Sequence, residues 1–108
     1  MLNREIAIQR SQEFFKSDQA CERILDVTNC LSNMSRLKIL CLLRDGEYNV
    51  GEIIEVIGGK PSNISQQVKV LSIAGYIKRR RQEKNIYYSL VDENIRGILD
   101  FLQKTYIK

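Results

Sequence analysis

Histidine is absent from all 108 residues. With it go the commonest general base, the commonest metal ligand and the side chain that titrates near neutrality, so Ser-His-Asp and Cys-His mechanisms are excluded. There is no Gly-rich phosphate loop and no clustered carboxylate pair, which leaves an enzyme no chemistry to work with. Long apolar runs are missing too: each is broken by charge well short of the roughly 20 residues that cross a bilayer, so no membrane partner is expected. Cysteine is sparse and odd in number, with Cys21, Cys30 and Cys41 widely spaced and no CxxC pair. No secretory hydrophobic stretch appears, and a reduced, cytoplasmic setting is the expectation.

What remains is a chain with the length of one domain, and residues 1–108 read as a single domain with one core. Hydrophobic residues at 44% against 28% charged give a globular rather than a disordered balance. The single proline and the few glycines then mark the breaks, at Gly46, Gly58-Gly59, Pro61 and Gly75.

Between those breaks the apolar period is helical. Ala20, Ile24, Val27 and Leu31 make an amphipathic stripe from Asp18 to about Leu31, a helix expected to bury one face. Ser35 stands at an N-cap position before Leu37, Ile39, Leu40, Cys41, Leu42 and Leu43, a segment apolar nearly all round and expected at the centre of the core. Asn49 with Glu52 resembles a capping box ahead of Val50, Ile53, Ile54 and Ile57, and Gly58-Gly59 stop that helix. Pro61 suits the first position of the next, whose inward face is Ile64, Val68 and Leu71 and which Gly75 ends.

After Gly75 the period falls to two. Ile77, Arg79 and Arg81 alternate with Lys78 and Arg80, and Ile86, Tyr88 and Leu90 alternate with Tyr87 and Ser89, across the turn Gln82-Glu83-Lys84-Asn85. That is a basic β-hairpin. Asp92 caps a last helix with the stripe Ile95, Ile98, Leu99, Leu102 and Tyr106, and the first seventeen residues, with Leu2, Ile6, Phe14 and Phe15, read as a less regular helix. The fold class is therefore mainly α with a β-hairpin. Both ends carry spare apolar surface, which suits dimerisation through the N- and C-terminal helices.

Two short helices joined by a Gly-containing turn and followed at once by a basic hairpin describe a winged helix-turn-helix. Charge supports a polyanion partner: Lys60 to Tyr88 holds seven basic residues and one acidic, net +6, while the remainder holds ten basic and twelve acidic, net −2. In a double-stranded DNA complex, Ser62, Asn63, Gln66 and Gln67 would reach base edges in the major groove. Lys60, Lys69, Arg79, Arg80, Arg81 and Lys84 would neutralise phosphates, with Arg80 or Lys84 entering the adjacent minor groove. Ser65 is either a phosphate contact or a surface hydroxyl bonding its own backbone. The competing reading is a winged helix serving as a protein-interaction or RNA-binding module without an inducer.

The residues that carry a likeness are Ser35-Arg36-Leu37-Lys38-Ile39-Leu40, Val50-Gly51-Glu52-Ile53, Ser62-Asn63-Ile64-Ser65-Gln66-Gln67-Val68 with Leu71, Ala74-Gly75-Tyr76-Ile77, and Ile86-Tyr87-Tyr88-Ser89-Leu90. From about Leu25 to Lys108 the chain resembles the ArsR, or arsenical-resistance repressor, type of small winged-helix transcriptional regulators. The resemblance implies a homodimer that binds imperfect inverted repeats in promoters and represses until an inducer loosens it.

Metal sensors of that family carry Cys-Val-Cys where this chain has Tyr48-Asn49-Val50-Gly51, and their second site uses Asp and His on the last helix, where only Asp92 stands. Neither a metal nor a cofactor is expected from those sites. The closer resemblance is to the haemolysin-activator and biofilm-growth branch, sensors of persulfide or oxidants, whose Ile-Leu-Cys-X-Leu helix matches Ile39-Leu40-Cys41-Leu42-Leu43. That branch pairs its thiol with a cysteine near the C-terminus, where this chain has Thr105-Tyr106-Ile107, so the family's bridge cannot form here. Three readings of the thiols stand open. Cys21, Cys30 and Cys41 are small apolar fillers, or Cys41 with Cys30 or Cys21 senses persulfide or oxidant, or the thiolates bind a soft metal or arsenite.

Overall fold

A computed structural model describes residues 3–107; Leu2, counted above with the first helix, lies outside them. The contacts divide the chain after Leu31 into two units. In the first, Asn3 caps α1 (Arg4–Phe14), its side-chain oxygen accepting the Ile6 amide at 2.9 Å. Ser17 does the same for α2 (Asp18–Leu31), accepting from the Ala20 amide. No residue of α1 is buried, and the helix expected over the first seventeen residues runs from Arg4 to Phe14. In α2 the expected buried stripe is not covered: Ala20 and Ile24 are exposed, Val27 and Leu31 half-buried, and Cys30 alone is buried. The apolar period is present in α2, but among the described residues most of its stripe is left uncovered.

The second unit begins with a correction. Asn33, not Ser35, caps α3 (Met34–Leu43), its side chain accepting the Arg36 amide at 3.0 Å. Ser35 lies inside the first turn. Both residues are good caps, and the two-residue difference is decided by which one has extended backbone; Asn33 does. α3 sits in this unit's core through Ile39, Leu40 and Leu43, while Leu37 and Leu42 are half-buried and Cys41 is exposed.

The capping box of α4 (Val50–Ile57) is complete, with Asn49 and Glu52 each bonding the other's backbone amide. Gly58 and Gly59, at φ of 81° and 90°, end it in backbone conformations that favour glycine. α5 (Pro61–Ile73) opens on its proline and buries Ile64, Val68 and Leu71 as expected. Gly75 at φ 83° then turns the chain into β1 (Ile77–Gln82) and β2 (Asn85–Leu90), paired antiparallel from Ile77 with Leu90 to Gln82 with Asn85. Asp92 caps α6 (Glu93–Tyr106).

The core of this unit is the common inner side of these elements: Ile39, Leu40 and Leu43, Ile53, Ile64, Val68 and Leu71, the strand ends Ile77 and Leu90, and Ile95 and Leu99. It fixes α4 and α5 against α3 and leaves the outer side of α5 and the hairpin to solvent. The architecture is mainly α with a small antiparallel hairpin, a winged helix-turn-helix.

Candidate nucleic-acid interface

α5 turns one strip outward. Ser62, Gln66 and Lys69 follow one another at helical spacing opposite the buried Ile64, Val68 and Leu71, and all three are exposed, as is Ser65 beside them. Lys60 holds the cap position without a side-chain hydrogen bond, and the first turn contains no acidic residue. The positive end of the helix is therefore not neutralised by its own chain, a setting that favours an anion.

Asn63 and Gln67, which the sequence grouped with these readers, point elsewhere. Asn63 Nδ2 donates to Ser35 Oγ at 3.0 Å, Gln67 Nε2 donates to Asn63 Oδ1 at 3.2 Å, and Arg36 Nη1 donates to Gln67 Oε1 at 2.9 Å. Both amides are spent on the start of α3. Arg36 and Ser35 belong to the quoted Ser35-Arg36-Leu37 motif, but nothing in the pattern of a single helix reveals a partner 31 positions away.

The hairpin carries the rest of the positive charge. Lys78 to Lys84 are exposed throughout, and Lys78, Arg79 and Lys84 have no ion pair among the described residues. Arg80 is differently placed: its Nε meets the Glu47 carboxylate at 3.0 and 3.2 Å, its guanidinium carbon lies 5.4 Å from the Tyr87 ring centre, and Nη1 donates to Gln82. Arg81 Nε donates to the Glu83 carbonyl. The Arg80 guanidinium holds the Glu47 carboxyl below the usual carboxylate range. A feature with no sequence signal steadies the wing: Tyr48 and Tyr88 exchange backbone hydrogen bonds at 3.0 and 2.8 Å, an isolated antiparallel bridge that ties the segment after α3 to β2.

Against this geometry, residues 33–79 match the family described as bacterial regulatory protein, arsR family. Over 84 residues the chain is 34% identical to the biofilm growth-associated repressor of Xylella fastidiosa, covering 75% of this chain and 74% of that one. This chain belongs to the arsR family. It is also 35% identical over 82 residues to the transcriptional regulator NmtR of Mycobacterium tuberculosis, covering 76% and 68% of the two chains. The solved structure of reduced HlyU from Vibrio cholerae superposes with a TM-score of 0.79 at 25% identity, covering 90% of this chain and 99% of that one. ArsR-family proteins are DNA-binding transcriptional regulators rather than enzymes.

The remaining site residues fall on this arsR member as follows. Ile95 and Leu99, read as dimer contacts, are 0% and 2% exposed and sit in the unit's own core. Ile98 and Leu102 are half-buried, while Tyr106 is exposed together with Phe101 and Ile107, which the stripe had not included. Between α3 and α6 runs an apolar groove of about 430 Å³, walled by Leu37, Cys41, Leu99, Leu102, Tyr106 and Ile107 among others. Cys41 is exposed on it; loss of solvent there pushes its thiol above the ordinary value, with Arg44 opposing. Cys30, by contrast, is buried. Cys21, half-buried, has its sulfur 3.9 Å from the Phe14 carbonyl oxygen. No three His, Cys, Asp or Glu side chains gather to hold a metal ion among the described residues, and no described helix is long and apolar enough to cross a membrane.

Proposed function

We propose that this chain acts as one winged helix-turn-helix unit that represses transcription as a homodimer on an inverted-repeat operator. The observation that carries the reading is the meeting of α5's outward strip with the unpaired cations of the hairpin on one strongly basic stretch. Ser62 and Gln66 read base edges in the major groove, with Lys69 and Ser65 on the flanking phosphates. Lys60 at the start of α5 and Lys78, Arg79, Arg81 and Lys84 along the wing supply phosphate contacts, and Arg80 joins them when Glu47 releases it.

The homodimer rests on the apolar surface left uncovered at both ends, Phe14, Phe15, Ile24 and Leu25 on one side and Phe101, Tyr106 and Ile107 on the other. For the signal, the likeness to the biofilm growth-associated repressor and to HlyU, together with the exposure of Cys41, favours a persulfide- or oxidant-responsive thiol at that position. Its raised pKa means little thiolate at neutral pH, so modification quickens as pH rises.

Binding to DNA from the region upstream of its own coding sequence tests this directly. Affinity should fall by roughly a thousandfold between about 50 and about 200 mM salt. Arg79→Ala and Lys84→Ala should weaken operator and scrambled DNA alike, and Gln66→Ala should lower operator affinity more than scrambled. A flat salt response with no effect of Gln66→Ala would leave a protein-interaction module as the better reading. For the signal, an unmodified Cys41 and unchanged DNA affinity after tetrasulfide or peroxide treatment would remove the thiol assignment; retention of arsenite would replace it by soft-ligand binding.

A further inference from the structure

The first turn of α3 and the first half of α5 are joined by a continuous run of hydrogen bonds: Ser35 to Asn63, Asn63 to Gln67, Gln67 to Arg36. Asn63 and Gln67 are one helical turn apart, and Ser35 and Arg36 are adjacent in a turn that Asn33 holds by its cap. The run has two attachments on each helix, so it resists rotation of α5 about its axis as well as displacement along it. The bond from Arg36 is charge-assisted, half-buried, and among the shorter of the set. Apolar packing of Ile64, Val68 and Leu71 cannot do the same work, since it is non-directional and tolerates a few degrees of roll.

We infer that Arg36, through Gln67, is a positioning residue for sequence discrimination: it sets the roll of α5 and thereby aims Ser62 and Gln66. The inference rests on the proposed reading that α5 enters the major groove. It also reassigns Gln67, and Asn63 with it, from base reading to alignment. Bidentate recognition of a base edge requires donor and acceptor to be held in a fixed direction, so a small roll costs selectivity while leaving phosphate contacts intact.

The test is the ratio of operator to scrambled-DNA affinity, in which general charge effects cancel. Arg36→Ala and Gln67→Ala should each lower that ratio by about tenfold, and the double variant should lower it no further, because both break one connection. Gln67→Glu separates the roles: a carboxylate still accepts from Arg36, and Asn63 can turn its amide to donate to it while accepting from the Ser35 hydroxyl, but it cannot donate to adenine N7, so the ratio should stay near that of the unaltered protein. Far-UV circular dichroism and thermal unfolding identify any variant that loses its fold, and should Arg36→Ala do so, Arg36→Lys, which keeps charge without the planar fork, takes its place.

If Gln67→Glu loses the ratio as fully as Gln67→Ala, or if the Arg36 and Gln67 effects add, Gln67 is a base reader and the inference fails. A Gln66→Ala variant distinguishes the levels. Loss of ratio in Gln66→Ala with none in Arg36→Ala overturns the positioning role alone, whereas no loss in Gln66→Ala, Gln67→Ala or Arg36→Ala overturns the assignment of α5 as the reading helix.

Discussion

Single side chains in this protein do work that their sequence neighbourhood only half discloses. Asn33 and Ser35 are both natural caps two positions apart, and the structure divides the labour: one holds α3, the other receives Asn63. Asn33→Ala should therefore cost about 1 kcal/mol of stability by chemical denaturation, whereas Ser35→Ala should leave the cap intact and show its larger effect on operator selectivity. Glu47 is a second such residue. Its carboxyl sits below its ordinary value because the Arg80 side chain donates to it, so the pairing is fully present above the unfolded carboxylate range and is lost as pH falls through the lowered value. Carbon-detected NMR titration should find the Glu47 midpoint depressed and returned to normal in Arg80→Ala; an unchanged midpoint would show the pair to be absent in solution. The pairing of Glu47 with Arg80 was not readable in advance, since the contact spans 33 positions of sequence.

At the scale of elements the chain was far more legible. Capping chemistry at Asn49 and Asp92, the positive-φ glycines, Pro61 and the period-two alternation located α4, α5, α6 and both strands, because each is specified by local sterics and by backbone groups that must be satisfied nearby. The faces were less certain. α6 carries apolar residues on more of its circumference than one core needs, and periodicity alone cannot say which go inward. Ile95 and Leu99 do; Phe101 and Tyr106 do not. Ile95→Ala should accordingly cost about 2–5 kcal/mol in unfolding experiments, while Phe101→Ser with Tyr106→Ser should leave the unit folded and shift sedimentation from dimer toward monomer. Loss of fold in the second pair would mean the outward side of α6 is structural.

For the molecule as a whole, charge separation was the most informative property of the sequence, because it survives whatever the detailed packing turns out to be. The assembly was the least, because an isolated chain reveals uncovered surface and not its cover. If two copies share that surface, folding is linked to association and the thermal midpoint rises with protein concentration across the micromolar range. A midpoint independent of concentration would indicate a folded monomer. The thiols belong to this scale as well: Cys21 and Cys30 lie on one side of the division at Leu31 and Cys41 on the other, so any pairing of Cys41 with either depends on tertiary arrangement that spacing does not encode.

α3 is gripped at both ends. Its first turn holds α5 through Ser35 and Arg36, and at its last residues Arg96 of α6 donates to the Arg44 carbonyl while Arg44 reaches Asp100 at 3.1 Å. A ten-residue helix is about 15 Å long and stiff over that length. It therefore forms a crossbar: α6 and α5 are both tied to one rigid rod, so a shift of one relative to the other would have to break these bonds rather than be absorbed in a loop.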